Sequence, residues 1–596
     1  MDRREFLASL AFTTLLPSFG ASAPNTKPFQ RVRPGDAKWP SASEWEMLRS
    51  DVGGRLIKLE SPLAACKQSS SVAACQSVLK SLQNPYYVSD EPAYTQASGW
   101  VDAWTSAPSV YAVAAESTRD VVAAINFARE KNLRLVVKGG GHSYLGTSSS
   151  SDSLLIWTHR MNKITMHDSF VASGCKTAQP AVTVESGAIW MHTYNEVTTA
   201  NGRYVQGGGC ATVGVAGLIQ SGGFGSFSKY YGTAAGALIE AEVVTADGKV
   251  RIANACREPD LFWAVKGGGG GTFGVVTKVT LRTRELPEFF GGAFGTVRAA
   301  SDDAFRRLIA RTVSFYKEKL FNRHWGEQIV FRGDNVMDIR MVFAGLDQKE
   351  ANDTWEPLRK WLLESPADFK IESPLMVFAI PARSFWDAAF WKRVPQKVVV
   401  ADDRPGAPAK NIYWMGDAEQ PGQFLHAYGS AWLSSSLLDP ANQKRLVDAF
   451  FAASRNWGFS LHFNKGLAGA PVAEIEAARD TATNPDVLDA FALLITGSND
   501  RAFPGVQGHG PDLAAARRNR DRVRKCMDEV LKAAPTAGSY VSESDFFEKD
   551  WQRSYWGPNY SKLAAVKRKY DPEGLFFVHH GVGSEEWSAD GFVRKN

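Results

Sequence analysis

Beyond its N-terminus the chain has no apolar run approaching the ~20 residues that cross a bilayer, so no later membrane-spanning helix is expected. Low-complexity tracts and internal repeats are missing too, which excludes a solenoid or a largely disordered chain. There is little surplus of charge of one sign. A net +5 is spread over 596 residues, and no basic run is interleaved with stacking aromatics, so neither nucleic acid nor a membrane surface is indicated as a partner. A small molecule is the expected partner. Cysteine is sparse at six residues. What is abundant is core-forming material: 44% of residues are hydrophobic, in a chain longer than the ~250 to 300 residues at which single cores stop growing. Two lobes are expected.

The N-terminus reads MDRREFLASLAFTTLLPSFGASA. It has paired Arg3 and Arg4, an apolar run from Phe6 to Leu16, and small residues at Ala21, Ser22 and Ala23. This resembles a twin-arginine export signal over 1–23, with Asp2 before the pair and Pro24 after the small residues. Such signals carry folded, cofactor-loaded proteins, so the resemblance implies a periplasmic or secreted protein. Export makes disulfides possible. Cys66 and Cys75 are close enough in CKQSSSVAAC to form one, whereas Cys175, Cys210, Cys256 and Cys526 have no pairing that spacing alone fixes.

Periodicity becomes readable near residue 105, after a polar extension. SVYAVAAE reads as a strand. STRDVVAAINFAREKN places Ser117 and Asp120 in capping-box spacing, with Val121, Ile125 and Ala128 on one helical face. LRLVVK reads as a buried strand. AVTVESG alternates as a strand, ALIEAEVVTADGKVRIA as a hairpin turning at Asp247 and Gly248, and PDLFWAVKGGGGGTFGVVTKVTLRT as helix, glycine loop and strand. From Pro287 longer alternations rich in aromatics, separated by helical stretches such as DDAFRRLIARTVSFYKEKL, indicate an antiparallel sheet covered by helices. The last helical stretch, NYSKLAAVKRKYDPEGLFF, stops at Pro572. It has no core of its own and is expected to pack back on the first lobe.

Glycine clusters punctuate the first lobe: Gly139 to Gly141, Gly207 to Gly209, Gly222 with Gly223 and Gly225, and Gly267 to Gly271. Each alone would be a turn. Four such loops, several at strand ends, point to backbone amides converging on an extended anionic ligand, because glycine lets the main chain approach phosphate closely.

The first cluster stands in VVKGGGHSYLG, which is similar to the pyrophosphate loop of the vanillyl-alcohol-oxidase superfamily of flavoproteins. GGGCATVGVAGLIQSGGFGSFSKYYG, DLFWAVKGGGGGTFGVVTKVTL and YWGPNYSKLAAVKRKYDPEGLFF resemble segments of its berberine-bridge-enzyme-like branch. The resemblance implies a two-domain α+β flavoprotein of PCMH type whose substrate domain is an antiparallel sheet covered by helices. Its implied divisions are an extension over 24–104, an FAD-binding domain over 105–285, a substrate domain over 286–540 and a return to the FAD domain over 541–596. It implies bicovalent FAD, joined through His142 to the flavin 8α-methyl and through Cys210 to C6.

By the same resemblance Lys138, Gly139, Gly140, Gly141, Ser143 and Gly146 form the pyrophosphate loop. Gly209, Gly214, Gly217, Gly222, Gly223 and Gly225 wrap the cofactor, Val275 lies against it and Asn559 reaches it from the tail. Val213 matches the position that gates oxygen, and valine is the oxidase-type residue there. No metal site is implied.

Removing hydride from an alcohol carbon also requires an acceptor for the hydroxyl proton. Tyr540 matches the tyrosine of a Tyr-x-Asn motif in which Ser542 replaces asparagine, Tyr144 matches a pocket tyrosine, and His462 and Asn464 alternate onto one strand face. Which of these is the base stays open. The expected function is an exported FAD-dependent oxidase acting on an alcohol or a sugar hemiacetal, with O₂ reduced to H₂O₂. Two alternatives remain: a periplasmic dehydrogenase using a quinone or another acceptor, and a flavin-bearing binding protein without turnover.

Overall fold

Residues Tyr111–Lys138 form a β-α-β unit whose parts follow from local chemistry. A computed structural model describes residues 29–66, 69, 71–395 and 398–595, so the export-type N-terminus lies outside the described residues. The strands Tyr111–Ala114 and Arg134–Lys138 lie parallel on either side of Ser153–Trp157, and Leu56–Lys58 adds an antiparallel edge. The connecting helix Thr118–Glu130 opens with the expected capping box, Ser117 and Asp120 each satisfying the other's backbone N–H, and buries Val121, Ile125 and Ala128. The strand Arg134–Lys138 then runs directly into the triple glycine.

A second sheet of the same lobe has five strands in the order Val250–Asn254, Leu238–Val244, Val275–Arg282, Ala178–Glu185 and Ile164–Val171, all antiparallel. Its first two strands are the hairpin that turns at Asp247 and Gly248, where Gly248 has φ +76°. Cys175 and Cys256 are joined by a disulfide beside this sheet, as are Cys66 and Cys75 in the extension; Cys526 is a buried free thiol.

The other lobe is a nine-stranded sheet. Its central strands run in the order Phe369–Pro381, Phe289–Ala299, Val336–Ala344, Trp325–Arg332, Phe459–His462, Ala490–Arg501 and Gln423–Ser434, antiparallel throughout. Ala97–Trp100 and Trp104–Thr105 complete its edge, and Ala97–Trp100 pairs parallel to Gln423–Ser434. The extension before residue 105 therefore contributes strands to both lobes. Helices Asp302–Phe315, Gln348–Leu363, Pro440–Asn456 and Leu513–Ala533 cover one face, burying Trp355, Phe450 and Val530 against Ile329, Phe343, Leu461 and Leu494. The opposite face roofs the first lobe.

Parts of the C-terminal segment pack on elements of the first lobe. Helix Tyr560–Tyr570 buries Leu563 and Val566, and Phe576 bridges Leu135 in parallel register. The Lys567 ammonium, also buried, donates to the carbonyls of Thr272 and Phe576 and pairs with Asp571 at 2.6 Å.

Candidate active site

Between the lobes lies a cavity of about 490 Å³ whose lining comes from both. Its floor begins where Arg134–Lys138 ends. In a strand neighbouring residues face opposite ways, and here Val137 faces the cavity while Lys138 faces away. The Lys138 ammonium donates to the carbonyls of Glu91, at 2.7 Å, and Tyr94. This corrects the expectation that Lys138 places its charge beside phosphate.

After that strand the chain folds against the loop before helix Val215–Gln220. Gly140 makes the contact possible: a Cβ on it would stand 2.6 Å from the Thr212 carbonyl oxygen and 2.7 Å from the Gly214 nitrogen. Gly141 adopts φ +74°, in the left-handed region that only glycine enters freely. The outcome is that His142 and Cys210, carried by separate loops, open into one cavity.

The imidazole Nε2 of His142 is 2.9 Å from Thr212 Oγ1, while Nδ1 has no hydrogen bond among the described residues. Burial, with a smaller contribution from the Lys138 charge, lowers the His142 pKa to about 4, so the ring is neutral at physiological pH. Cys210 Sγ accepts from Gln420 Nε2 at 3.3 Å. Burial first, and the Asp417 carboxylate second, push its thiol well above the usual range. Asp417 in turn accepts from the Ala211 N–H at 2.9 Å, and burial raises its own pKa to about 6.

Of the residues expected to hold a cofactor, Gly139, Gly140, Gly141, His142, Ser143, Gly209, Cys210, Val213, Gly214, Gly217, Gly225 and Val275 line the cavity. Gly217 has no atom within 4 Å of where its Cβ would be, so a side chain there would enter the cavity itself. Gly269, Gly270 and Gly271 line it as well, so four glycine-rich segments do converge.

Other expected residues lie elsewhere. Gly146, at φ +71°, packs on Trp104, whose ring carbon would be 2.7 Å from its Cβ. Gly222 and Gly223 are left-handed turn residues against Thr483 and Ala234. Asn559 donates to the Thr483 carbonyl at 3.0 Å. These four shape the cavity's surroundings and do not line it.

All three candidate acid-base residues face the cavity. The rings of Tyr144 and Tyr428 lie 5.0 Å apart. His462 and Ser460 share a strand face and a 2.8 Å hydrogen bond; His462 Nδ1 is buried and unpartnered, and burial lowers its pKa well below the usual histidine value. Tyr540 sits edge-on to Phe224 with no well-formed hydrogen bond to its hydroxyl. Burial, then the Glu543 charge, raise its pKa far above the free phenol, which opposes a resident tyrosinate.

Several lining residues carried no readable sequence signal: Glu327, Gln328, Gln420, Tyr428, Lys465, Glu543, His579 and His580. Lys465 and Glu543 form an ion pair, and Lys465 is the only Lys or Arg that lines the cavity among the described residues. An anion there meets mainly backbone amides, and the glycine-lined floor with its unpartnered polar roof fits an FAD dinucleotide.

The fold and this site define a two-lobed flavin-binding oxidoreductase. Residues 109–254 match the family model described as FAD binding domain, and 539–583 match berberine and berberine like. FAD-linked oxidoreductase malF of Malbranchea aurantiaca is 30% identical across 98% of this chain and 97% of its own length. The chain belongs to the FAD-linked oxidoreductases. Among solved structures, the VAO-type flavoprotein MtVAO615 from Myceliophthora thermophila C1 superposes with a TM-score of 0.79 at 25% identity, over 95% of this chain and 100% of that one. Glucooligosaccharide oxidase from Acremonium strictum, whose FAD is 6-S-cysteinyl and 8α-N1-histidyl, shares the fold with a TM-score of 0.62 at 20% identity, over 80% and 92% of the two chains.

Proposed function

We propose that the protein is an exported oxidase that removes hydride from the hydroxyl-bearing carbon of an alcohol or sugar hemiacetal, using FAD fixed to His142 and Cys210. The observation that carries this reading is the meeting of these two side chains in one glycine-floored cavity. When bound, the flavin supplies the hydride acceptor and passes two electrons to O₂. The remaining work belongs to the chain.

His142 is neutral, and in the tautomer whose Nε2–H donates to Thr212 Oγ1 the lone pair stands on Nδ1, the protonation state a nitrogen nucleophile needs. Cys210 starts as a thiol beside the Asp417 carboxylate, a group positioned to take its proton. Backbone amides around Gly139 to Gly141, Gly214 and Gly269 to Gly271 meet the pyrophosphate.

The roof supplies the substrate half. Tyr144, Tyr428 and Tyr540 form aromatic walls, and Tyr540, held neutral, offers its O–H to orient the substrate oxygen. His462, Asn464 and Gln328 add polar contacts. Valine at 213 favours O₂ as the electron acceptor over a quinone. The printed name of the glucooligosaccharide oxidase supports a hydroxyl-bearing substrate. The two disulfides support export.

Acid-precipitated, washed protein should stay yellow, and its flavin-bearing peptides should contain His142 and Cys210. A peroxide-coupled screen of alcohols and oligosaccharides then identifies the reaction. Stopped-flow mixing of reduced enzyme with O₂ separates an oxidase from a dehydrogenase: slow reoxidation refutes the oxidase, and Val213→Leu should slow it by crowding the flavin.

A further inference from the structure

Glu327 departs from the pattern of its own strand. In Trp325–Arg332 alternation sends Trp325, Ile329 and Phe331 into the core under the helices, and Glu327 has the parity of those three. Yet Glu327 and its neighbour Gln328 both line the cavity. The cause is a backbone φ of +62° at Glu327, a left-handed conformation that strains a residue carrying a Cβ. Such strain persists only where surrounding contacts impose it. Gly326 helps to impose it: a Cβ there would lie 2.4 Å from the Ser226 carbonyl oxygen, so the strand is pressed against the Gly225 to Ser226 loop.

The carboxylate this turn presents is placed at the cofactor end of the roof. Oε1 accepts from Ser226 Oγ at 2.6 Å and lies 3.5 Å from Asn464 Nδ2, while Oε2 has no hydrogen bond among the described residues. A Cβ on Gly209 would stand 3.8 Å from Oε1, and Gly209 immediately precedes Cys210. A flavin joined to Cys210 through ring carbon C6 has N5 two bonds further on, so its reacting end belongs to this end of the cavity. Burial raises the Glu327 pKa above the usual carboxylate value, Ser226 and the Lys465 charge oppose that rise, and the Glu543 charge adds to it. Tyr194, which feels the Glu327 charge, and His462, Tyr540 and Tyr428, which line the same cavity, are all held neutral by burial.

We infer that Glu327 is the proton acceptor of the reaction: Oε2 takes the substrate's hydroxyl proton as the carbon of the same C–OH group loses its hydride to the flavin. The substrate gives up one proton and one hydride and leaves as the carbonyl compound. This inference rests on the alcohol-oxidation reading above. It assigns the base to a residue on the strand Trp325–Arg332, and the tyrosines and His462 become groups that orient the substrate.

The test uses full-length, flavin-loaded enzyme, with benzyl alcohol, 2-butanol and cellobiose as probes in anaerobic stopped flow. The wild-type reduction rate should rise with pH through an acidic limb. Glu327→Gln, which keeps the shape and loses the base, should retain attached flavin, slow reduction by ~100-fold or more, and lose that limb. Ser226→Ala removes a hydrogen bond that favours the ionised form, so it should move the limb to higher pH with a smaller loss of rate. Independently of turnover, the wild-type-minus-Glu327→Gln infrared difference should contain a titrating carbonyl band of a protonated side-chain acid, separate from the Asp417 band that both proteins share. If none of the three probes reduces the wild-type flavin, the alcohol-oxidation reading and this inference both fail. If the wild type is reduced and Glu327→Gln keeps its rate within a few-fold with the acidic limb intact, Glu327 is not the acceptor and the oxidation reading stands.

Discussion

Thr212 Oγ1 and His142 Nε2 are hydrogen-bonded at 2.9 Å, a contact that engages Nε2 and leaves Nδ1 without a partner among the described residues. Thr212→Val preserves the side-chain shape and removes the partner, so the ring loses its fixed tautomer and orientation. Mass spectrometry of tryptic flavopeptides should show a reduced His142-linked fraction with the Cys210 link retained. His142→Ala and Cys210→Ala should each leave one link, and the double variant should release all its FAD into acid.

Two glycines facing the same cavity should respond oppositely to one added methyl group. Gly140→Ala drives a Cβ into backbone atoms at 2.6 and 2.7 Å that cannot rotate aside, a clash of the kind that costs ~1 to 3 kcal/mol. It should lower the melting temperature and prevent FAD loading together. Gly217→Ala meets nothing within 4 Å and removes a helix glycine, so the flavin-free protein should melt no lower than its parent. It should nonetheless load less FAD, because the methyl group occupies the cavity. Thermal scans with flavin absorbance on both variants check the contrast.

Asp417 makes stability depend on pH in a direction opposite to an ordinary surface carboxylate. Its pKa rises from 3.8 unfolded to about 6 folded, so the folded chain holds the proton more tightly, and stability falls as pH rises through that interval. The full penalty, on the order of 3 kcal/mol, is present above it. Asp417→Asn keeps an oxygen to accept from Ala211 and removes the charge. Its melting temperature should exceed that of the wild type at pH 7, and the difference should shrink toward pH 4.

The disulfides should differ in weight because they close loops of different length. Cys175–Cys256 spans 81 residues and Cys66–Cys75 spans 9. The chain-entropy relation gives about 4.5 and about 2.6 kcal/mol. Replacing both members of the first pair by serine should lower the melting temperature more than the same change in the second, as read by calorimetry of the two double variants.

Much of this architecture was readable where the signal is local. The capping box at Ser117 and Asp120, the turn at Asp247 and Gly248 and the glycine loops each sit within a few residues of the structure they specify. The outward turn of Lys138 is available from strand alternation once Val137 is set against a ligand, whereas the family resemblance places Lys138 in the pyrophosphate loop. The pairing of Cys175 with Cys256 and the parallel docking of Ala97–Trp100 on Gln423–Ser434 depend on distant partners that no short stretch encodes. Glu327 was hidden for another reason. Its parity in the strand assigns it to the core face with Trp325, Ile329 and Phe331, and a single left-handed backbone turn, which the sequence does not announce, brings it to the cavity.

Val578, His579, His580 and Gly581 line the cavity, and Phe576 bridges the strand that leads into the triple glycine. The wall that closes on the cofactor is therefore translated long after His142 and Cys210. A nascent chain that already carries both attachment residues still lacks this wall, so a nonsense codon before Val578 should yield a product that holds FAD poorly.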